Sequence, residues 1–334
     1  MVIETPSCGA LRAADAGARV RLRGWVNRRR DHGGLIFIDI RDRDGLTQLV
    51  FDPGDDLDPA VFAVAERLRA EFVISASGIV RARLPGTEKP DLPTGAIEVA
   101  VGALEILNES LTPPFVVAGN EDVDENVRLR YRYLDLRRGR MQRNLTVRHR
   151  IVKAMRDYFD ARDFLEIETP DLIKSTPEGA RDYLVPSRVH QGTFYALPQS
   201  PQLLKQILMI GGLGRYMQIA RCFRDEDPRA DRQPEFTQLD VEMTFVEEDD
   251  VMAMMEGCVR EVWHTALGIT IAPRIERLTY EDAIRRFGSD KPDRRFELEL
   301  VDVAAAVADS DFPLFKTLAG DAGSRIVALR YPGG

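Results

Sequence analysis

RYMQIARCFRDEDPRADRQPEFTQLDVEMTF, residues 215–245, decides how the second half of this chain folds. Near its end Leu239, Val241, Met243 and Phe245 alternate strictly with Gln238, Asp240, Glu242 and Thr244. Period-two alternation predicts a half-buried antiparallel strand with one polar face. Residues 216–224 read as a weaker partner strand. The segment between them, DEDPRADRQPE (225–235), is densely charged and carries two prolines. Two strands joined by so long a charged loop predict a hairpin that holds a highly charged ligand.

The side chains narrow the chemistry. A triphosphate is bound by planar, permanently charged donors, and arginine supplies a bidentate fork. Arg224 stands at a strand end, where the sheet fixes it; Arg229 and Arg232 lie in the loop, within reach of outer phosphates. Asp240 and Glu242 point to one side of their strand, and an inward carboxylate can hold an ammonium group. On composition alone plainer readings stay open. The loop is then a solvated hairpin tip and the carboxylates are ordinary charge on an open sheet face.

Upstream, PQSPQLLK (198–205) is a polar turn opening a helix over 202–210, which Gly211 and Gly212 end. Lys205 lies in the first turns, where the helix dipole disfavours a cation, so an anionic partner is expected; a surface lysine is the commoner alternative. KSTPEGARD (174–182) has the profile of a loop that closes over a substrate, though most such loops only connect. A strand over 164–168 is stopped by Pro170. A long helix is expected to start near Asn144, a good N-cap, with Leu145, Ile151, Val152, Met155, Tyr158 and Phe159 as its apolar stripe. Residues 249–267 read as helix, and GSDKPD (288–293) marks a boundary.

The first hundred residues follow a different rule. Strands are expected over 20–27, 35–40, 46–51, 72–83 and 96–107, with a helix over 59–69 and a turn at Asp44-Gly45. Five strands with a helix after the third predict a small Greek-key barrel of the OB type. In LIFIDI (35–40), Ile36, Ile38 and Ile40 share one face, leaving Phe37 on the other with Arg28–Arg30 and Gln48. An aromatic beside arginines on such a sheet is a platform for single-stranded nucleic acid. The alternative is a core Phe37 with solubilising arginines. Residues 108–143 read as a linker that holds Pro113-Pro114, an acidic stretch and then a basic one.

Bulk properties agree. A chain of 334 residues exceeds one ordinary core. With 44% apolar and 30% charged residues it has the composition of a soluble globular protein. No apolar run approaches the ~18 residues of a membrane helix, and residues 1–15 lack a secretion signal. Cys8, Cys222 and Cys258 lack CxxC spacing, and His32, His149, His190 and His264 are scattered. Reduced thiols, a cytoplasmic protein and no metal site are expected. The net charge of −8 argues against binding nucleic acid through bulk charge, but not against local basic patches.

Several of these segments together resemble bacterial aspartyl-tRNA synthetases: GWVNRRRDHGGLIFIDIRDRDG (24–45), RLRYRYLDLRR (128–138), FLEIETPDLIKSTPEGARDYLVPSR (164–188), FYALPQSPQLLKQ (194–206), RCFRDEDPRADRQPEFTQLDVEMTF (221–245) and GSDKPD. Residues 164–170 resemble class II motif 1 and residues 224–245 resemble motif 2. The fold implied is α+β: an N-terminal OB-fold β-barrel (1–107), a hinge (108–143), a class II antiparallel sheet flanked by helices (144–285), and the start of an inserted α/β domain (286–334). The function implied is ATP-dependent ligation of L-aspartate to tRNA(Asp) through aspartyl-adenylate, with magnesium accompanying ATP and a homodimer with Pro170 at its interface.

The resemblance also implies roles. Arg224 would clamp the α-phosphate and the reacting carboxylate, and Asp225, Glu226 and Gln233 would seat ATP. Gln202 and Asp240 would hold the substrate ammonium, with Ser200 nearby. Lys205 would pair with the aspartate side chain, and Glu178 would close over it. Arg30, Phe37, Gln48 and Glu98 match anticodon-reading positions. His32 in RRRDHGG (28–34) and Gly86 in RLPG (83–86) resemble members that also charge tRNA(Asn). Residues 276–334 resemble the end of one catalytic segment and the opening of the inserted domain. No glycine-rich motif 3 follows before YPGG (331–334), so this chain alone is expected to be nearly inactive, with the protein ligands of ATP-magnesium lying beyond it. Two alternatives stay open: an asparaginyl- or lysyl-tRNA synthetase, and a tRNA-binding fragment that uses only the barrel.

Overall fold

The computed structural model describes residues 2–3, 6–119, 121–176, 178–296 and 298–331. Its chain divides into two compact units, 1–157 with 265–267, and 158–264 with 268–334.

In the first unit, β1 (Val2–Ile3), β2 (Arg19–His32), β3 (Leu35–Arg41), β4 (Leu46–Phe51), β5 (Val73–Ala82) and β6 (Ile97–Asn108) form one sheet, with α1 (Pro59–Arg67) between β4 and β5. The sheet order is β1-β2-β3-β4-β6-β5, and β2 pairs back onto β5, closing the barrel. Closure removes the free edges that a small sheet would otherwise expose. Asp58 caps α1 by accepting from the Ala60 amide, with Pro59 as the first helical residue. Alternation on β3 sends Ile36, Ile38 and Ile40 into a core shared with Leu22, Leu49, Phe51, Ile74 and Ile97, all fully buried. β2 runs on to His32, so Arg28–Arg30 are part of the strand and not a segment after it.

The expected linker is partly helical: α2 (Glu125–Arg130) and α3 (Arg132–Asp135) precede α4 (Gly139–Asp160). The long helix therefore begins five residues before Asn144, which lies inside it and caps nothing. Arg140, Met141, Gln142 and Arg143 have good helix propensity, so no breaker stands between Gly139 and the predicted start.

The second unit is built on β7 (Leu165–Glu166), β8 (Leu184–Pro186), β9 (Phe194–Ala196), α5 (Gln202–Ile210), β10 (Arg215–Phe223) and β11 (Glu235–Met243), followed by α6 (Glu248–Leu267). β10 and β11 form the expected hairpin, in register from Arg215↔Met243 to Phe223↔Glu235. β7 pairs with β10 in parallel. It is two residues long, against the five expected: among the described residues after Glu166 the backbone keeps one bond to the hairpin, from the Ile167 amide to the Met217 carbonyl. Beyond lie α7 (Tyr280–Phe287), capped by Gly288 in the left-handed region, and the pair β12 (Leu300–Asp302) and β13 (Val327–Leu329) with α8 (Ala304–Val307) and α9 (Pro313–Ala319) between them.

Two expectations for the hairpin are corrected. β11 stops at Met243, and Phe245 has a φ of 58° and lies fully exposed outside the strand. The polar side of the strand is also the better covered one. Asp240 is buried, while Leu239, Val241 and Met243 are only partly so. Asp240 is the buried one here because Lys205 neutralises it.

Candidate functional site

Register places Tyr216, Gln218, Ala220 and Cys222 of β10 beside Glu242, Asp240, Gln238 and Phe236 of β11. Because side chains alternate, these eight share one face, and Arg224 continues it past the strand end. α5 brings Lys205 onto this face. Its Nζ lies 2.9 Å from Asp240 Oδ1 and 3.2 Å from Glu242 Oε2. The expected anionic partner of Lys205 is thus a pair of carboxylates thirty-five and thirty-seven residues away, beyond the reach of any local pattern. Burial works against the ammonium, but the two carboxylates outweigh it and hold Lys205 above the usual lysine range. The other oxygen of Asp240, Oδ2, is buried and has no hydrogen-bond partner.

Neighbouring polar groups are tightly matched. Tyr216 and Thr169 both donate to Gln218 Oε1, at 2.6 and 3.0 Å. Burial pushes the Tyr216 hydroxyl well above its ordinary value, and Asp240 adds to this. The Cys222 thiol donates to Gln238 and is pushed up to about 11, first by burial and then by Asp240, with Arg224 opposing.

Arg224 opens a cavity of about 350 Å³ lined also by Glu226, Arg232, Gln233 and Phe236. Its guanidinium lies 5.1 Å from the centre of the Phe236 ring, and its Nε is buried without a partner. The Arg224 amide donates to the Pro234 carbonyl, and Arg229 and Arg232 bridge each other through their backbones. Of the four residues expected at ATP, Arg224, Glu226 and Gln233 share this cavity, whereas Asp225 is not among its lining residues. Arg232 lines it and Arg229 does not. Phe236 was not anticipated, although its place in the alternating strand was readable.

Glu178, Ser200 and Gln202 gather at the start of α5. Ser200 Oγ donates to Glu178 Oε2 at 2.8 Å, and the Gln202 amide donates to Ser200 Oγ at 3.3 Å. The Gln202 side chain is exposed. Gln199, which the sequence reading passed over, is fully buried and bonded to Ala180 and Asp182. Pro170 is exposed just past β7.

The barrel carries a second site. A cavity of about 480 Å³ is lined by Arg30, Phe37, Gln48, Glu98 and His32 together, with Arg81, Arg83 and Lys89 beside them. Gln48 is its organising group. Its Oε1 accepts from Arg30 at 3.0 Å and Arg83 at 3.2 Å, and its Nε2 donates to Glu98 at 3.0 Å. Arg30 also bonds Asp39 and lies 5.9 Å from the Phe37 ring centre, and His32 meets that ring edge-on at 6.1 Å. Phe37 is half-buried, with the platform and not with the core. Lys89 is held below the usual lysine range, chiefly by burial and against the pull of Asp39. Gly86 has a φ of 83°, which favours glycine, and its amide donates to Glu88.

Family comparison agrees with this division. Residues 124–318 match the model of tRNA synthetases class II (D, K and N), and residues 20–112 match an OB-fold nucleic acid binding domain. The chain belongs to the class II tRNA synthetases of the D, K and N group. Among relatives of this class II synthetase, the aspartate–tRNA(Asp/Asn) ligase of Salinibacter ruber is 56% identical over 333 residues, covering 98% of this chain and 52% of that protein. The aspartate–tRNA ligase of Geobacillus kaustophilus is 56% identical over 326 residues, covering 98% and 55%. The synthetase chain thus spans about half the length of these relatives. An asparaginyl-tRNA synthetase from Pyrococcus horikoshii, solved with asparaginyl-adenylate, superposes with a TM-score of 0.69 at 26% identity, covering 79% of this chain and 58% of that one. No described helix of the synthetase is long and apolar enough to cross a membrane.

Proposed function

We propose that this chain supplies the anticodon-reading barrel and the amino-acid and nucleotide face of an aspartate–tRNA ligase. In the first step a carboxylate oxygen of L-aspartate attacks the α-phosphorus of ATP, giving aspartyl-adenylate as pyrophosphate leaves. In the second, a hydroxyl of the tRNA's terminal adenosine takes the aspartyl group and AMP departs. Arg224, anchored at the strand end over Phe236, is positioned to neutralise charge on the phosphate as the transition state forms. Glu226 and Gln233 line the same cavity, and Phe236 offers a stacking face for the base; Asp225, between Arg224 and Glu226 in the chain, would help seat ATP from outside the lining. Magnesium travels with the triphosphate. Among the described residues no group of three or more His, Cys, Asp or Glu is arranged to hold a metal.

One observation carries the choice of amino acid: Lys205 buried between Asp240 and Glu242. This cluster has one negative charge in excess and one unmatched carboxylate oxygen, Asp240 Oδ2. An incoming aspartate supplies an ammonium for Asp240 and a side-chain carboxylate for Lys205. Asparagine supplies the ammonium but offers Lys205 a neutral amide in place of the carboxylate. Gln202 and Ser200 stand beside the ammonium position, and Glu178 closes the amino-acid side.

The proposed layout keeps residues 1–107 as anticodon domain, 108–143 as hinge, 144–285 as adenylate-forming part and 286–334 as the opening of an inserted domain. The protein would work in the cytoplasm as a homodimer with Pro170 at the interface. Arg30, Phe37, Gln48 and Glu98 would read the anticodon. His32 beside Phe37, and the glycine-favouring turn at Gly86, support acceptance of tRNA(Asn) as well as tRNA(Asp).

Pyrophosphate exchange by the complete protein tests the amino acid. Aspartate alone is expected to drive it; exchange with asparagine or lysine overturns the assignment. Charging of purified tRNAs tests the partner. Both tRNA(Asp) and tRNA(Asn) are expected to accept aspartate, and His32→Leu is expected to shift the ratio toward tRNA(Asp).

A further inference from the structure

Gln199 is 1% exposed, sits in the turn before α5, and uses its amide in full. Its Oε1 accepts from the Ala180 amide at 3.0 Å. Its Nε2 donates to the Ala180 carbonyl at 2.9 Å and to Asp182 Oδ1 at 2.5 Å. The side chain therefore pairs with residue 180 as a neighbouring strand would, where no strand runs. Only an amide presents donor and acceptor side by side in this way.

These bonds are the base of a larger tie. Asp182 also accepts from Ser175 Oγ at 2.5 Å, which joins the two ends of the stretch carrying Glu178. At its crown, Glu178 Oε2 accepts from Ser200 Oγ at 2.8 Å, one residue from Gln199. On the other side, the Asp225 amide donates to the Arg181 carbonyl at 3.0 Å, and the Phe223 amide donates to the Pro198 carbonyl at 2.9 Å. The Gln199-Ser200 pair thus links the Glu178 segment to the start of α5, while the Pro198 and Arg181 carbonyls on either side of those bonds hold the backbone before and after Arg224.

We propose that Gln199 is a positioning residue that fixes residues 178–182 so that Glu178 meets Ser200 and the Arg181 carbonyl anchors the loop next to Arg224. The inference rests on the aspartate-activating reading for its kinetic consequence, but its structural part stands apart from that reading. Replacing the amide leaves the Ala180 amide, the Ala180 carbonyl and Asp182 without their buried partner. The Gln199→Glu change is isosteric, yet turns the donor into an acceptor that faces a carbonyl and a carboxylate.

Two measurements on the complete protein decide it. In aspartate-dependent pyrophosphate exchange, Gln199→Glu and Gln199→Leu are expected to raise KM for aspartate about tenfold or more, the scale of a lost buried hydrogen bond, while kcat stays within about threefold. Ser200→Ala, which removes the crown bond and the bond from the Gln202 amide but leaves the three Gln199 bonds in place, is expected to raise it less. In limited trypsin digestion, cleavage after Lys174 and Arg181, both exposed, is expected to accelerate in both Gln199 variants while the far-UV spectrum and melting midpoint stay near wild type. Should the leucine variant fail to fold, the isosteric glutamate variant carries both readouts. Wild-type KM together with wild-type cleavage overturns the proposal. If the native protein shows no exchange with aspartate, the functional reading fails, and the digestion pattern still decides whether Gln199 holds the segment.

Discussion

Ile38 of the barrel and Lys205 of the hairpin unit are both buried, but for different reasons. Ile38 belongs to an apolar core enclosed by a sheet that closes on itself, and the polar platform of Arg30, Gln48 and Glu98 is laid on the outside of that core. Lys205 is buried among charges, on a sheet whose order β11-β10-β7 leaves β11 at an edge, and its burial is compensated by Asp240 and Glu242. The first arrangement is held by water exclusion. The second is held by charge matching, so its stability and its chemistry share the same side chains.

The largest test of this contrast is Arg224→Ala. It is expected to lower pyrophosphate exchange by about a thousandfold, the scale of removing a preorganised donor to developing charge. Binding of tRNA, which the proposed function assigns to the barrel, is expected to change little. Equal loss of both would erase the distinction between the units.

Stability separates them next. Trp25 lies in the barrel and Trp263 in the other unit, and they are the chain's two tryptophans, so single-tryptophan variants report on each. Lys205→Met leaves Asp240 and Glu242 facing each other and is expected to cost about 3 kcal/mol in the Trp263 transition, with loss of aspartate activation. Ile38→Ala is expected to cost about 2–5 kcal/mol in the Trp25 transition, leaving KM for aspartate unchanged. Denaturant titration checks both.

The sequence exposed these two kinds of burial unequally. Period-two alternation in residues 35–40 assigned Ile36, Ile38 and Ile40 to the core and Phe37 to the opposite face, as the structure has them. The helix Gln202–Ile210 was readable from its turn and its glycines. The same alternation in residues 238–245 left open whether the carboxylates face inward or lie on an open face, because it reports polarity and not compensation. What buries Asp240 is Lys205, thirty-five residues earlier on another element. Gln199 gave no periodic signal, since a single amide in a proline-flanked turn belongs to no repeat. The start of α4 was missed for the opposite reason: Asn144 is a good cap that the helix passes through.

A smaller effect is expected in the barrel platform. Gln48→Ala removes the amide that bridges Arg30, Arg83 and Glu98, and is expected to raise KM for tRNA by about tenfold with amino-acid activation unchanged.

Alkaline stability offers a separate test. The thiols of Cys222 and Cys258 are raised by burial from 9.0 to about 11 in the folded state. A raised folded value means the unfolded chain loses its protons first, so the stabilisation present below pH 9 is lost as pH rises from 9 to about 11. Replacing both cysteines by alanine is expected to flatten that decline in the Trp263 transition.

Arg224 and Lys205 are expected to face one substrate. A crystal structure of the complete protein with a non-hydrolysable aspartyl-adenylate analogue tests it directly. The guanidinium of Arg224 is expected on the phosphate and the ligand's side-chain carboxylate on the Lys205 ammonium. Arg224 turned to bulk solvent, or the ligand carboxylate directed away from Lys205, would contradict it.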